Sequence, residues 1–263
     1  MTISDYGAVR VEHEQGLAVV SFDSPPLNLY DQAMSEALPL ALTELESSAP
    51  RAVLFRAEGK VVTGGVDVNL FAEPRNSEES LPLLRSLLEL ALRVERLPVP
   101  VVFAAHGLCL TWAFELALAC DIILASEKAR FGLVERRVGL TPTMGGPQRL
   151  AERAGSGRAK ELVMSGAIYA AAELERWNVV NRVLPVEAFD DYARAYAHDL
   201  AAGPPLAHAA TKELIAAVNE GGVKLANERV VGIASLLFDS EDLQGAVQSF
   251  LRDGPDSATF KGR

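Results

Sequence analysis

The sequence is poor in cysteine, aromatic residues and positive charge, and each shortage removes a class of protein. Two cysteines in 263 residues, Cys109 and Cys120, give neither a disulfide framework nor metal-ligand spacing. They are expected to be small buried hydrophobes in a reducing compartment. Aromatic residues are 6% of the chain and the net charge is -10. With no Lys/Arg stripe, the electrostatic footprint of a nucleic-acid binder is missing. No uninterrupted apolar run reaches the roughly 20 residues that a bilayer needs, and the N-terminus lacks a leader pattern. No membrane partner is expected, and the expected address is the cytoplasm.

Familiar site motifs are missing as well. The chain contains no GxGxxG, Walker A loop, GxSxG elbow, HExxH or CxxC. GSGRAK at Gly155 lies between two helical segments, without the strand-to-helix context of a phosphate loop, and reads as a turn. His13, His106, His198 and His208 are scattered without metal or triad spacing, so no metal site is expected.

What is present is a chain that can bury a core, with 49% hydrophobic and 23% charged residues. AVRVEHE and LAVVSFD alternate as strands around a Gln15-Gly16 turn and predict a hairpin. Met34, Ala37, Leu38, Leu42 and Leu45 recur at helical spacing over Asp31 to Ser48, with Asp31 near the N-cap. A buried strand AVLFRAE, a helix from about Ser80 to Arg96 and the strand VPVVFAA follow. A loop from His106 to Leu110, the helix holding TWAFELALA and the strand DIILAS complete a second unit. Alternating strands and helices predict a mostly parallel sheet with right-handed crossovers. From about Gly145 the pattern is mainly helical, with VVNRVLP as one short strand and breaks at Gly203-Pro204-Pro205 and Gly221-Gly222. The expected organisation is an α/β core over 1–195 and a helical C-terminal region over 196–263.

Two loops and two glutamates carry the chemistry. TGGVDV follows a strand, and its paired glycines leave backbone N–H groups free to point at a ligand. HGLCLTW leads into a helix whose first N–H groups are unpaired and lie at the positive end of the dipole. TGGVDV reads equally as a tight turn, whose glycines need no ligand; alternatively, two such loops can place two N–H donors around one oxygen, which would form an oxyanion hole. Glu115 stands alone on the apolar helix TWAFELALACD. With Thr111 as N-cap, a capping-box glutamate belongs at position 114, so Glu115 is not explained by capping. Glu135, in FGLVERRVG, reads either as a second functional carboxylate or as a surface charge paired with Arg136 or Arg137.

Taken together these segments resemble the crotonase, or enoyl-CoA hydratase/isomerase, family. TGGVDV is similar to its AGADL-type loop, and HGLCLTWAFELALACD to NGxAxGGGxELALACD. FGLVERRVGLTPTMGGPQRLAERAG is similar to FGxPExxxGxxPxxGGxxRLxRxxG, and SFLRDGPDSATFKGR to the closing FxEKRxPxFxG. The resemblance implies a spiral of repeated ββα units with a C-terminal helical trimerisation region, assembled as a homotrimer or a dimer of trimers. It implies an acyl-CoA thioester substrate and no cofactor. Carried over by position, Val66 and Trp112 supply the oxyanion N–H groups, Glu115 handles water, and Glu135 gives the proton to C2. Leu27, Thr63, Gly64, Gly65, Asp67, Val68, Phe260 and Lys261 fall on positions that bind CoA or the acyl chain. Retention of both carboxylates points to hydration of a 2-enoyl-CoA. Double-bond isomerisation, acyl-CoA decarboxylation and CoA-ester binding without catalysis are the alternatives. One departure stands out: Thr111-Trp112-Ala113 replaces the family's three glycines. The indole then either points into the core or lines the acyl pocket.

Overall fold

The computed structural model describes residues 2–263. A seven-stranded sheet contains, in spatial order, β1 (Thr2–Asp5), β2 (Val9–Glu14), β3 (Leu17–Phe22), β4 (Ala52–Ala57), β5 (Val101–Ala105), β7 (Ile122–Ser126) and β10 (Arg182–Leu184). The predicted hairpin pairs Glu14 with Leu17 and Val9 with Phe22. From β3 onward every neighbour is parallel. Strand β1, which pairs antiparallel with β2, was not expected.

Both sheet faces are covered, which is why the strands read as nearly continuous apolar runs. Ala18, Val20, Val53, Phe55, Val101 and Phe103 face the main core with α1 (Gln32–Ser48), α2 (Ser77–Arg96) and α3 (Thr111–Ala119). Their alternates Leu17, Val19, Ala52, Leu54, Val102 and Ala104 meet α6 (Val186–Ala202). That helix packs through Phe189, Ala193, Ala197 and Ala201, an i, i+4 ridge of mostly small side chains. Helix α6 runs unbroken through residue 195 and packs on the sheet as far as Ala201.

A second, three-stranded sheet joins β6 (Leu108–Leu110), β8 (Arg130–Gly132) and β9 (Tyr169–Ala170). The segment from His106 to Leu110, expected as a loop, therefore contains a strand. Single-residue bridges extend the pattern: Thr63 pairs with Cys109, and Tyr30 with Val66. Each unit thus runs from a long strand to a short strand or bridge and on to a helix, as in β5, β6, α3. The site loops lie where these short pairings hand over to helices.

Asp31 caps α1 by accepting from the Met34 N–H at 2.9 Å, as its position predicts. Helix α4 (Gly146–Ser165) bends at Gly155, the first residue of GSGRAK, so the expected turn is a kink within a helical segment. The C-terminal helices are α7 (Pro205–Leu236), broken at Gly221 and Gly222, and α8 (Glu241–Asp253). Helix α5 (Ala171–Arg176) precedes β10. Both cysteines are free and buried. Among the described residues, no helix is long and apolar enough to cross a membrane.

Candidate active site

Loop 63–68 is built around one hydroxyl. Buried Thr63 donates through Oγ1 to the Asn28 carbonyl at 2.7 Å and accepts from the Gly65 N–H at 2.9 Å. Gly65 has φ 119°, a conformation that excludes side chains, and its carbonyl accepts from the Tyr30 N–H at 3.0 Å. The Asp67 N–H donates back to the Tyr30 carbonyl at 3.0 Å. The amide between these two bonds, that of Val66, has no acceptor among the described residues.

Across the cleft, Trp112 is the second residue of α3, directly after Thr111. The first N–H groups of a helix have no partner within it. Leu108, whose carbonyl lies four residues before Trp112, accepts instead from the Thr63 N–H at 2.9 Å. The Trp112 indole is turned away into the core, 1% exposed. It meets Phe22 edge-on at 4.9 Å and Tyr30 at 5.7 Å between ring centroids. It also donates through Nε1 to Thr63 Oγ1 at 2.9 Å. Of the two orientations open in the sequence, the structure takes the core.

Glu115, 3% exposed, is fixed by the turn that starts α4. Its Oε1 accepts from the Met144 N–H at 2.9 Å and the Gly146 N–H at 2.8 Å. A Cβ on Gly146 would sit 2.9 Å from both Cγ and Oε1 of Glu115, so this close approach requires glycine. The α3 N-cap is Leu110, without a side-chain cap bond, so Glu115 has no capping role. Burial, then the neighbouring Glu135 charge, push the Glu115 carboxyl up to about 8, against the opposing backbone N–H bonds.

Glu135 begins a 3-10 turn, Glu135–Val138, after β8. It is half-buried and forms no ion pair with Arg136 or Arg137 among the described residues; Arg136 donates to the Ser165 carbonyl instead. Its Oε2 is buried without a hydrogen-bond partner among the described residues. Burial raises its pKa to about 7, opposed by a bond to its own backbone N–H.

A cavity of about 230 Å³ brings Gly64, Gly65, Val66, Val68, Trp112, Glu115 and Glu135 together. Leu87, Phe71, Leu140 and Met144 give it apolar walls, and Arg137 is also part of its lining. The remaining residues named from the sequence lie outside this lining. Leu27 is 44% exposed and holds the loop through its carbonyl, which accepts from the Gly64 N–H at 2.8 Å. Asp67 caps the short turn Val68–Phe71 by accepting from the Asn69 N–H. Phe260 and Lys261 are held by Arg51 and Asp242: the Phe260 carbonyl accepts from Arg51, and the Lys261 N–H donates to Asp242. A larger cavity of about 410 Å³ between the ends of α1 and α2 holds neither site glutamate.

Sequence reasoning missed the Met144 and Gly146 amides on Glu115. The only local hint was the paired glycine in TMGG ahead of a helical run. It also missed the Thr111 side chain, which packs against Gly65 at the cavity wall and whose hydroxyl is buried without a partner among the described residues.

Two unengaged amides on one cavity with a buried and a half-buried carboxylate, both with raised pKa values, are suited to stabilising an enolate and moving protons at its carbons. Residues 12–257 match the sequence profile of the enoyl-CoA hydratase/isomerase family, and the chain belongs to that family of enzymes. It is 30% identical over 261 residues to the 2,3-dehydroadipyl-CoA hydratase of Escherichia coli (strain K12), covering 96% of this chain and 98% of the relative. The methylmalonyl-CoA decarboxylase of the same organism is 26% identical over 251 residues, covering 94% and 95%. The crystal structure of the enoyl-CoA hydratase from Bacillus anthracis superposes with TM-score 0.89 at 28% identity, covering 97% of this chain and all of that one. The fold is thus the crotonase fold.

Proposed function

We propose that this enzyme is an enoyl-CoA hydratase, adding water across the 2,3-double bond of an acyl-CoA thioester. The observation that carries the reading is that both carboxylates open onto one apolar cavity beside the two unengaged amides. The thioester oxygen takes the Val66 and Trp112 N–H groups, which stabilise the enolate as negative charge moves onto that oxygen. Glu115 takes a proton from water as the oxygen bonds to C3, and Glu135 delivers a proton to C2. Hydration changes no oxidation state overall, so the reading includes no redox cofactor, and the two amides polarise the carbonyl in the role a metal would otherwise take.

Burial makes Glu115 the weaker acid of the pair, at about 8 against about 7. Its role as base rests on geometry. Two backbone N–H groups at a helix N-terminus stabilise its carboxylate, whereas the unpartnered Oε2 of Glu135 suits a protonated acid. Water bound against Glu115 supplies the solvation that burial removes. In the reacting pair Glu115 is then the carboxylate and Glu135 the carboxylic acid.

The test is the ultraviolet absorbance of the conjugated thioester on adding protein to crotonyl-CoA and longer 2-enoyl-CoAs. Loss of absorbance that falls by about 10²–10⁴-fold in both Glu115→Gln and Glu135→Gln supports hydration. Dependence on Glu135 alone points to isomerisation. No turnover of any 2-enoyl-CoA sinks the hydratase reading and leaves isomerisation, decarboxylation or CoA-ester binding. The last of these, in a form where Trp112 closes the pocket, is disfavoured by the buried orientation of its indole. The reading also includes the homotrimer or dimer of trimers expected from the resemblance.

A further inference from the structure

The Thr63 hydroxyl joins the two halves of the candidate oxyanion hole. It accepts from the Gly65 N–H, on the residue bonded to Val66, and from the Trp112 indole N–H, both at 2.9 Å. Its own proton goes to the Asn28 carbonyl at 2.7 Å, so one donor and two acceptor positions of the hydroxyl are filled. Trp112 and Thr63 are 49 residues apart in sequence, and both side chains are buried.

Tyr30 completes the clamp. Its backbone engages the Gly65 carbonyl and the Asp67 N–H, on either side of Val66, while its ring packs on the indole at 5.7 Å. On the other loop, Thr111 is held at φ 47°. A β-branched residue in that region is strained and persists only where its surroundings fix it. The buried indole supplies that anchor one residue later. The segment where the family pattern has three glycines is therefore pinned from the side.

We propose that the Trp112 indole is a strut that sets the separation of the Val66 and Trp112 amides, making Trp112 and Thr63 positioning residues for carbonyl polarisation. Its basis is the oxyanion reading above. It applies equally to hydration, isomerisation and decarboxylation, because each needs the same enolate. A displacement of about 1 Å at such donors costs on the order of 100-fold in rate.

The test uses the full chain with Trp112→Phe, Thr63→Val and Thr63→Ser, each checked for folding by thermal melt. The probe is an aryl-substituted 2-enoyl-CoA, whose absorbance moves to longer wavelength when its carbonyl is polarised. Trp112→Phe and Thr63→Val are expected to lose most of that shift. With a turned-over substrate they lower kcat by about 10–100-fold while KM changes by less than about threefold. Thr63→Ser recovers much of both, and the Trp112→Phe/Thr63→Val pair is no worse than the poorer single variant. Folded variants that keep the wild-type shift and kcat overturn the proposal, as does a wild-type protein that binds the probe without any shift. If the wild type shifts the probe but hydrates nothing, the hydratase reading fails while the strut is still decided by the variants. Should Trp112→Phe not fold, the contrast of Thr63→Val with Thr63→Ser decides alone.

Discussion

At the scale of single residues, the two glutamates are set apart by what touches them. Glu115 has the deeper burial but also the two backbone donors, and the charge on Glu135 is the second cause of its raised pKa. Removing that charge in Glu135→Gln lowers the Glu115 pKa from about 8, while burial keeps it above the ordinary 4.5. A carboxyl 13C titration of the two proteins reads this directly, and an unchanged Glu115 titration refutes the coupling. The same shift makes a stability prediction. The folded state binds the Glu115 proton more tightly than the unfolded chain does. This contribution is therefore complete below pH 4.5 and is lost as pH rises through about 8. Denaturant unfolding across that window should show wild type losing up to about 5 kcal/mol relative to Glu115→Gln, levelling off above pH 8. Parallel stability curves for the two proteins would contradict it.

At the scale of elements, what could be read from sequence divides by how local the determining interaction is. The hairpin, the Asp31 cap and the parallel strands were legible because alternation, capping and apolar runs lie within a few residues of each other. Strands β6, β8 and β9 were not, because two or three residues are too few to show a period and they exist only through pairing with distant partners. The site divides in the same way. The motifs marked Glu115, Glu135 and the two loops, but not the bond from the indole to Thr63 or the turn before α4 that grips Glu115. That turn carries its own prediction. Gly146→Ala puts a methyl group within 2.9 Å of the Glu115 carboxylate, forcing the side chain or the α4 start to move. Activity on 2-enoyl-CoA should fall by about 10–100-fold with a smaller change in KM, whereas Gly157→Ala, an open position inside the same helix, should leave it unchanged. Equal activity in the two variants would show that Glu115 needs no such grip.

At the scale of the whole molecule, the C-terminal helices leave apolar surface that the chain does not itself cover. Val223 and Val231 on α7, eight residues apart and so near one stripe, are 65% and 76% exposed. Leu236, Phe238 and Leu251 are exposed by 69%, 66% and 80%. Isolated exposed apolar residues are ordinary, but a run of them on consecutive helices calls for a covering surface, and the expected homotrimer supplies one. Each chain brings a net charge of -10 to that assembly. Association works against self-repulsion, which salt screens. Light scattering after size exclusion at micromolar protein should therefore give three or six chains, with the assembly persisting to lower concentration at 0.5 M salt than at 0.02 M. Val231→Asp should weaken it by adding a charge to the covered stripe. Phe260 and Lys261, which lie outside the lining of their own chain's cavity, offer a second readout. If they serve a neighbour's CoA site, dissociated Val231→Asp protein should show a raised KM for the CoA ester with kcat less affected. A wild-type protein of single-chain mass at every concentration would remove both the assembly and that role.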